Sequence, residues 1–267
     1  MTKAQPLVIT ESAGDSSPIP VGVRIIRLNY PSRRNALSLE LRAELIAAVE
    51  TALADPAVRA IVLTGSEGSF CSGGDISSMQ NIAGVGGRQR LANLHRLVRL
   101  LVAGSKPVIA AVEGYAYGAG MSLALLCDQV VAARNAKFCC SFGKVGLMPD
   151  MAALWTVPQR VNAGWTKRLL MLAEEIDGET AGRIGLVDEV SAPGEALEQA
   201  LALAAKFAAL APLPVGFSKE ILSRGPQPLE SLLAQEVDGQ ALLFNSADFA
   251  EGRDAFLAKR KPVFTGS

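Results

Sequence analysis

Two short apolar segments, each leading directly into a glycine-rich loop, constrain the fold of this chain more than any other feature. Residues 58–64 (VRAIVLT) and 107–112 (PVIAAV) have the β-branched and apolar composition of buried strands. The first leads into the loop 65–75 and the second into 113–120, after which an apolar helix is predicted at about 121–127. This repeat of strand, loop and helix indicates an α/β fold with parallel strands joined by right-handed crossovers.

Weaker patterns account for the rest of the first part of the chain. Residues 23–30 alternate apolar and polar side chains and 129–133 are mostly apolar, so both are predicted strands. Ser38 is a suitable N-cap for a helix that reaches about residue 54. Residues 88–102 are predicted to be helical, and the glycines of 84–87 predict a mobile loop before them.

From about residue 193 the predicted strands cease and helical patterns take over. The predicted helices cover residues 195–210, 215–223, 229–245 and 247–259. We therefore divide the chain into a core over 1–192 and a helical region over 193–267. The helical region packs on its own core or on a neighbouring subunit.

Charge and cysteine content argue against several classes of function. Lysine and arginine together number 26, and aspartate and glutamate also number 26. The formal net charge is therefore zero, and no overall positive charge favours binding to nucleic acid. No segment reaches the roughly 18 apolar residues of a membrane span, and residues 1–14 lack the apolar core of a signal peptide. The four cysteines show no CxxC spacing, which favours reduced thiols over a zinc site or disulfides. We expect a cytoplasmic protein without nucleic-acid, membrane or metal partners.

The two glycine-rich loops are the candidates for chemistry. Ligands of α/β folds bind at the carboxyl ends of strands, where both loops are predicted to lie. In 70–75 (FCSGGD) glycine permits close approach of the backbone to a ligand, and in 118–120 (GAG) it opens a helix whose first amides are free. Two such amides can converge on one carbonyl oxygen and stabilise an oxyanion. Each loop alone is also consistent with a tight turn, with Asp75 as a helix cap, and neither matches a phosphate-binding motif.

Together, the motifs resemble those of the enoyl-CoA hydratase/isomerase (crotonase) superfamily. They occur in order as NAL at 35–37, FCSGGDI at 70–76, AVEGYAYGAG at 111–120 and CD at 127–128, with a similar tail at 246–262. The resemblance covers nearly the whole chain. It implies a crotonase-like spiral of repeated ββα units with a C-terminal α-helical trimerisation region. It also implies an acyl-CoA thioester as substrate, no cofactor beyond the CoA of that substrate, and a homotrimer or dimer of trimers.

By this resemblance, the backbone amides of Gly74 and Ala119 form the oxyanion hole for the thioester oxygen. The residues that would contact CoA or its acyl group lie in the same loops and in the tail. They are Arg33, Ala36, Leu37, Gly73, Gly74, Asp75, Ile76, Gly118, Ala119, Phe142, Phe256 and Lys259. Phe256 and Lys259 resemble residues that touch the adenine nucleotide, often from a neighbouring subunit.

The chain departs from the hydratases where they carry two glutamates that place and activate water. Ser122 stands two residues after the last glycine of GAG, and Phe142 stands seven residues before Pro149. Neither side chain is a useful general base at neutral pH. Asp150, which ends the segment 146–150 (GLMPD), resembles a functional aspartate of the family's isomerases and of the related dehalogenases. Its other interpretation is a helix N-cap.

We therefore expect isomerase-type proton transfer by Asp150 over an enolate held in the oxyanion hole. The pocket around its carboxyl would be apolar, lined by Phe142, Met148, Met151 and Trp155. A nucleophilic Asp150 is the less favoured alternative. Two other hypotheses stay open: a hydratase with atypical water activation, and a catalytically silent binder of CoA thioesters.

No catalytic role is assigned to the serine motif at 120–124, to His95 or to Glu113. A serine hydrolase is rejected, because 120–124 (GMSLA) ends in alanine where GxSxG needs glycine. The only histidine, His95, falls in a predicted helix. Glu113, beside the second loop, is assigned a structural role.

Overall fold

The computed structural model describes residues 5–14, 18–79 and 84–267. Its strands are β1 (Val8–Ser12), β2 (Val23–Leu28), β3 (Ala60–Gly65), β4 (Val108–Val112), β5 (Tyr115–Tyr117), β6 (Gln129–Ala133), β7 (Lys137–Cys139), β8 (Glu175–Asp177) and β9 (Glu189–Ser191). One sheet has the order β1-β2-β3-β4-β6-β9 and a smaller one the order β5-β7-β8. In the larger sheet only β1 and β2 are antiparallel. The predicted α/β fold with parallel strands is confirmed.

The helices are α1 (Leu39–Ala54), α2 (Gly84–Ala103), α3 (Ala119–Leu125), α4 (Ala153–Arg160), α5 (Ala163–Met171), α6 (Gly178–Arg183), α7 (Ala196–Ala208), α8 (Pro212–Leu222), α9 (Leu229–Leu243) and α10 (Ala247–Leu257). Helix α1 begins where predicted, because the Ser38 hydroxyl accepts a hydrogen bond from the Leu41 amide at 3.1 Å. The mobile loop predicted for 84–87 is wrong, since these residues are the first turn of α2. Leu94, Leu97 and Leu101 of α2 are buried in the core, and this packing overrides the low helix propensity of glycine.

The larger sheet is covered on both faces. Within β2, Ile26 and Leu28 belong to the main core with α1 and α2, whereas Val23 and Ile25 join a second cluster with α7. Parallel strands buried on both faces need apolar side chains in both directions, which explains the continuous apolar runs of β3 and β4. Helix α7 presents small residues that are fully buried against the sheet, Ala196, Ala200 and Ala204.

Helix α7 thus packs on the sheet of its own chain. Whether residues 193–267 also form an oligomerisation region stays a prediction. Within the described residues, no single helix has the length and hydropathy to cross a membrane. The pair α7 and α8 reaches both only when taken together, with a bend of 109° between them.

Candidate active site

The two glycine-rich loops lie side by side at the carboxyl ends of β3 and β4. The Cys71 amide donates to the Tyr115 carbonyl at 2.8 Å, and the Tyr117 amide donates to the Cys71 carbonyl at 3.0 Å. Gly120 faces the same carbonyl, because a Cβ built on it would lie 2.1 Å from the Cys71 oxygen. Only glycine permits this approach, so Gly120 sets the spacing between the two loops.

Gly74 and Ala119 carry free amides at this junction. A Cβ built on Gly73, whose φ of +108° favours glycine, would lie 3.7 Å from the Ala119 nitrogen. Over the described ranges, neither the Gly74 nor the Ala119 amide has a hydrogen-bond acceptor. Ala119 is the first residue of α3 and so has no acceptor within its helix. Two unpaired amides on adjoining loops suit an oxygen that carries negative charge.

The segment 33–37 borders the first loop. Leu37 forms a parallel bridge with Gly74, and its amide donates to the Gly73 carbonyl at 2.8 Å. The Ser72 hydroxyl donates to the Arg33 carbonyl at 2.9 Å. The structure therefore brings the predicted residues of segments 33–37 and 73–76 together, with Ala36 and Leu37 buried and Ile76 exposed.

Asp75 is engaged locally. Its Oδ1 accepts hydrogen bonds from the hydroxyl and the amide of Ser77, at 2.6 and 3.0 Å. These bonds lower the pKa of the Asp75 carboxyl. Because the bonds fix the short 3₁₀ turn Ile76–Met79, the capping interpretation of Asp75 accounts for them.

Ser122 and Phe142, where the resemblance predicts that the hydratase glutamates are replaced, both lie against Gly118. The Ser122 side chain is fully buried, and its hydroxyl donates to the Gly118 carbonyl at 3.3 Å. The buried Phe142 ring reaches to within 4.0 Å of where a Cβ on Gly118 would lie. This wall of the site is therefore apolar.

Asp150 supplies a carboxyl group to this part of the structure, and one of its two oxygens is unpaired among the described residues. Its Oδ1 atom is buried and has no hydrogen-bond partner among the described residues. The Asp150 side chain does not cap α4, whose N-cap residue is Ala152, so the helix-cap interpretation is wrong. Met151 and Ala152, the next two residues, both adopt left-handed φ values, 48° and 60°. Such strain costs roughly 1–2 kcal/mol for each non-glycine residue and is concentrated at functional sites.

Charged groups around Asp150 oppose the effect of burial on the pKa of its carboxyl. Burial raises the pKa of the Asp150 carboxyl, while Arg42 and, to a lesser degree, His95 and Arg90 lower it. Sequence reasoning missed Arg42. It lies on α1 at the i, i+3 and i+7 spacing that it shares with Leu45 and Val49, and that spacing could have placed it on the buried face.

The remaining predicted residues lie apart from this junction. In the single chain, Phe256 and Lys259 are exposed at and just beyond the end of α10, and their contact with the adenine nucleotide stays a prediction. Met148 is exposed, whereas Met151 is fully buried. Trp155 lines a cleft of about 970 Å³ beside α8, which none of the residues of the two loops lines.

The remaining candidates for chemistry are the cysteines, Glu113 and groups of metal-ligating side chains. The four cysteines are free and buried, and burial raises the pKa of the Cys71 thiol to about 12, which leaves it protonated. Glu113 accepts hydrogen bonds from the amides of Gly194 and Ala196, at 3.0 and 3.1 Å, which confirms its structural role. Over the part of the chain that the structure describes, no three His, Cys, Asp or Glu side chains group as metal ligands.

Comparisons with known proteins place these features in a family. A sequence model described as enoyl-CoA hydratase/isomerase matches residues 19–267. The chain is 37% identical to a crotonyl-CoA hydratase of Syntrophomonas wolfei over 242 residues, which cover 90% of this chain and 93% of that protein. It is 36% identical to a 1,2-epoxyphenylacetyl-CoA isomerase of Escherichia coli over 256 residues, 94% of this chain and 97% of the relative.

Solved structures superpose on this chain over nearly its whole length. The crystal structure of an enoyl-CoA hydratase from Polaromonas sp. JS666 superposes with a TM-score of 0.89 at 36% identity. It covers 96% of this chain and 99% of its own. A hydratase structure from Bacillus anthracis superposes with a TM-score of 0.90 at 27% identity, covering 98% and 100%. The chain therefore belongs to the enoyl-CoA hydratase/isomerase family of enzymes, with the crotonase fold expected from its motifs.

Proposed function

We propose that this enzyme moves a proton along the acyl chain of an acyl-CoA thioester, with Asp150 as the acid–base group. The observation that carries the proposal is the buried, unpartnered Oδ1 of Asp150, together with the absence of carboxylates at Ser122 and Phe142. A water-adding enzyme needs groups that place and activate water, whereas an isomerase needs one group that removes and returns a proton.

The two free amides supply the other half of the chemistry. The thioester oxygen binds between the amides of Gly74 and Ala119, which stabilise the negative charge that develops when the α-carbon loses a proton. The loops are fixed by the Cys71–Tyr117 backbone contacts, so the donors need no reorganisation as charge forms. Loss of one such donor costs about 10²–10³ in rate in known enzymes.

For a 3-enoyl thioester the proton balance is simple. Asp150, ionised, takes the proton from C2, and the electron pair of that bond moves toward the thioester oxygen to give a dienolate. Protonated Asp150 then returns the proton to C4, and the double bond moves between C2 and C3. Burial raises the pKa of the Asp150 carboxyl, which makes the carboxylate a stronger base toward the proton on C2.

The acyl-CoA lies across the loops that the motifs mark. Segments 33–37 and 73–76 border the CoA, and Phe256 and Lys259 of a neighbouring subunit reach its adenine nucleotide. This arrangement needs at least a second copy of the chain, and the family resemblance implies a homotrimer or a dimer of trimers. CoA enters as part of the substrate, and the proposed chemistry uses no other cofactor.

A hydratase is the second candidate, because several relatives carry that name, among them the crotonyl-CoA hydratase. The two are separated by incubating the protein with a 3-enoyl-CoA and, in parallel, with crotonyl-CoA. Isomerisation of the first without hydration of the second supports the proposal. Rapid loss of the conjugated thioester absorbance of crotonyl-CoA would overturn it, and binding without turnover of either would indicate a silent binder.

The role of Asp150 is tested directly by Asp150→Asn. The variant should bind the thioester with the wild-type affinity and lose isomerisation. Isomerisation at the wild-type rate would remove Asp150 from the mechanism.

A further inference from the structure

Arg42 is a buried cation whose charged end has no partner among the residues that the structure describes. The residue is 7% exposed, and its Nε donates to the Leu37 carbonyl at 3.0 Å. Among the described residues, no carboxylate lies within 4.0 Å of its guanidinium, and its two terminal nitrogens make no hydrogen bond.

The unpaired end of Arg42 lies beside the catalytic loops. Its Nη2 atom is 3.6 Å from the position that a Cβ on Gly74 would take. It also interacts with Asp150, whose own Oδ1 is unpaired. A buried guanidinium without a partner is costly, as is a buried carboxylate without one. Two interacting groups of opposite charge, one of them beside Gly74, are more simply explained by the reaction than by stability.

We propose that Arg42 is a positioning residue of the reaction: its charge keeps the buried Asp150 ionised in the resting enzyme and stabilises negative charge beside the Gly74 amide. The proposal rests on the function proposed above for Asp150. During turnover the positive charge serves two anions in succession. It acts first on the Asp150 carboxylate and then, once Asp150 has taken the proton, on the thioester enolate. The low local dielectric makes this interaction stronger than it would be in water.

Other charged groups face Asp150 and have to be separated from Arg42. Arg90 and His95 approach from α2, and the thiol of Cys140 lies beyond the end of β7. Arg42 has the largest opposing effect on the pKa of Asp150 and is itself influenced by Arg90. Substitution of Arg42 alone therefore removes the largest of these opposing charges and leaves Arg90 and His95 of α2 in place.

The test is the pH dependence of kcat/KM for a 3-enoyl-CoA in wild type and in Arg42→Gln. Glutamine keeps a donor for the Leu37 carbonyl while removing the charge. Since only ionised Asp150 can act as base, kcat/KM falls as pH drops through its pKa. Without Arg42, burial acts with less opposition, and this acid limb moves to higher pH. The plateau rate falls by about tenfold, less than for a lost oxyanion-hole donor, because Arg42 acts through space.

Three variants make the result decisive. Arg42→Lys restores the charge and should return the limb toward its wild-type position. Arg24→Met removes an arginine paired with Asp55 at 2.9 Å elsewhere in the fold and should leave the limb unmoved. Asp150→Asn should lose turnover at every pH, as the proposed role of Asp150 requires.

A merely structural Arg42 predicts a different pattern. Its loss would displace Leu37 and the loop bonded to it, lowering activity equally at every pH. An unmoved limb in both Arg42→Gln and Arg42→Lys would overturn the Arg42 proposal alone. A limb that survives in Asp150→Asn would overturn it together with the proposed role of Asp150.

Discussion

Replacing Gly120 with alanine tests whether the spacing of the two loops carries the activity. The new Cβ would lie 2.1 Å from the Cys71 carbonyl oxygen and 2.9 Å from the Cys71 Cβ. Carbon–oxygen contacts are rarely shorter than about 3.3 Å, so the loops must separate by roughly 1 Å. Displacements of that size cost about 10²-fold in rate where reacting groups are pre-positioned. Forcing an extra methyl group into a packed site also costs about 1–3 kcal/mol of stability.

The assay is isomerisation of a 3-enoyl-CoA, read with urea unfolding and thioester binding on the same preparation. We expect Gly120→Ala to remain folded and to lose about 10²-fold in kcat. The matched control is Gly239→Ala in α9, where a Cβ meets no atom within 4 Å. This control should keep kcat and gain about 0.5–1 kcal/mol, since alanine is the better helix former. A folded Gly120→Ala enzyme with wild-type kcat would refute the reasoning.

Three further predictions concern single groups. Ser122→Ala should keep kcat within about threefold, because its hydroxyl makes one long bond to the Gly118 carbonyl; a loss as large as that of Asp150→Asn would make Ser122 a catalytic group. Asp150→Asn should raise the free energy of unfolding at pH 7. The raised pKa means that the ionised wild-type carboxylate destabilises the fold. This gain should vanish as pH falls through that pKa, which thermal unfolding at several pH values would show; a constant gain contradicts it. Lys219→Met should cost about 2 kcal/mol in urea unfolding, because Lys219 donates to Asp128 at 2.6 Å and the pair is only partly exposed. An unchanged transition midpoint would mean that the pair contributes nothing to stability.

Four of the six strands of the larger sheet, β2, β3, β4 and β6, were predictable because they obey simple rules, whereas its edge strands β1 and β9 were not predicted. The apolar runs that became β3 and β4 are buried on both faces, and Ser38 caps α1 as its chemistry predicts. Strands β5, β7 and β8 were not predicted, since three residues are too few to show a period. The loop prediction for 84–87 failed because apolar burial further along α2 outweighs the low helix propensity of glycine.

The candidate site was predictable in part for a similar reason. Glycines that touch a backbone carbonyl leave a local signature, so Gly73 and Gly120 pointed to the junction of the two loops. Arg42 left no such signature, because one charged residue among many on a helix becomes informative only when the buried face is known. The placement of Trp155 beside α8 depends on how the C-terminal helices dock, which local sequence does not encode.

Proton exchange at the acyl group tests the central proposal most directly. A 3-enoyl-CoA is incubated with the enzyme in D₂O, and deuterium at C2 and C4 is followed by NMR. The account predicts enzyme-dependent exchange at both carbons in wild type and none in Asp150→Asn, with thioester binding retained by the variant. Exchange that persists in Asp150→Asn, or wild-type binding with neither exchange nor migration of the double bond, would contradict it.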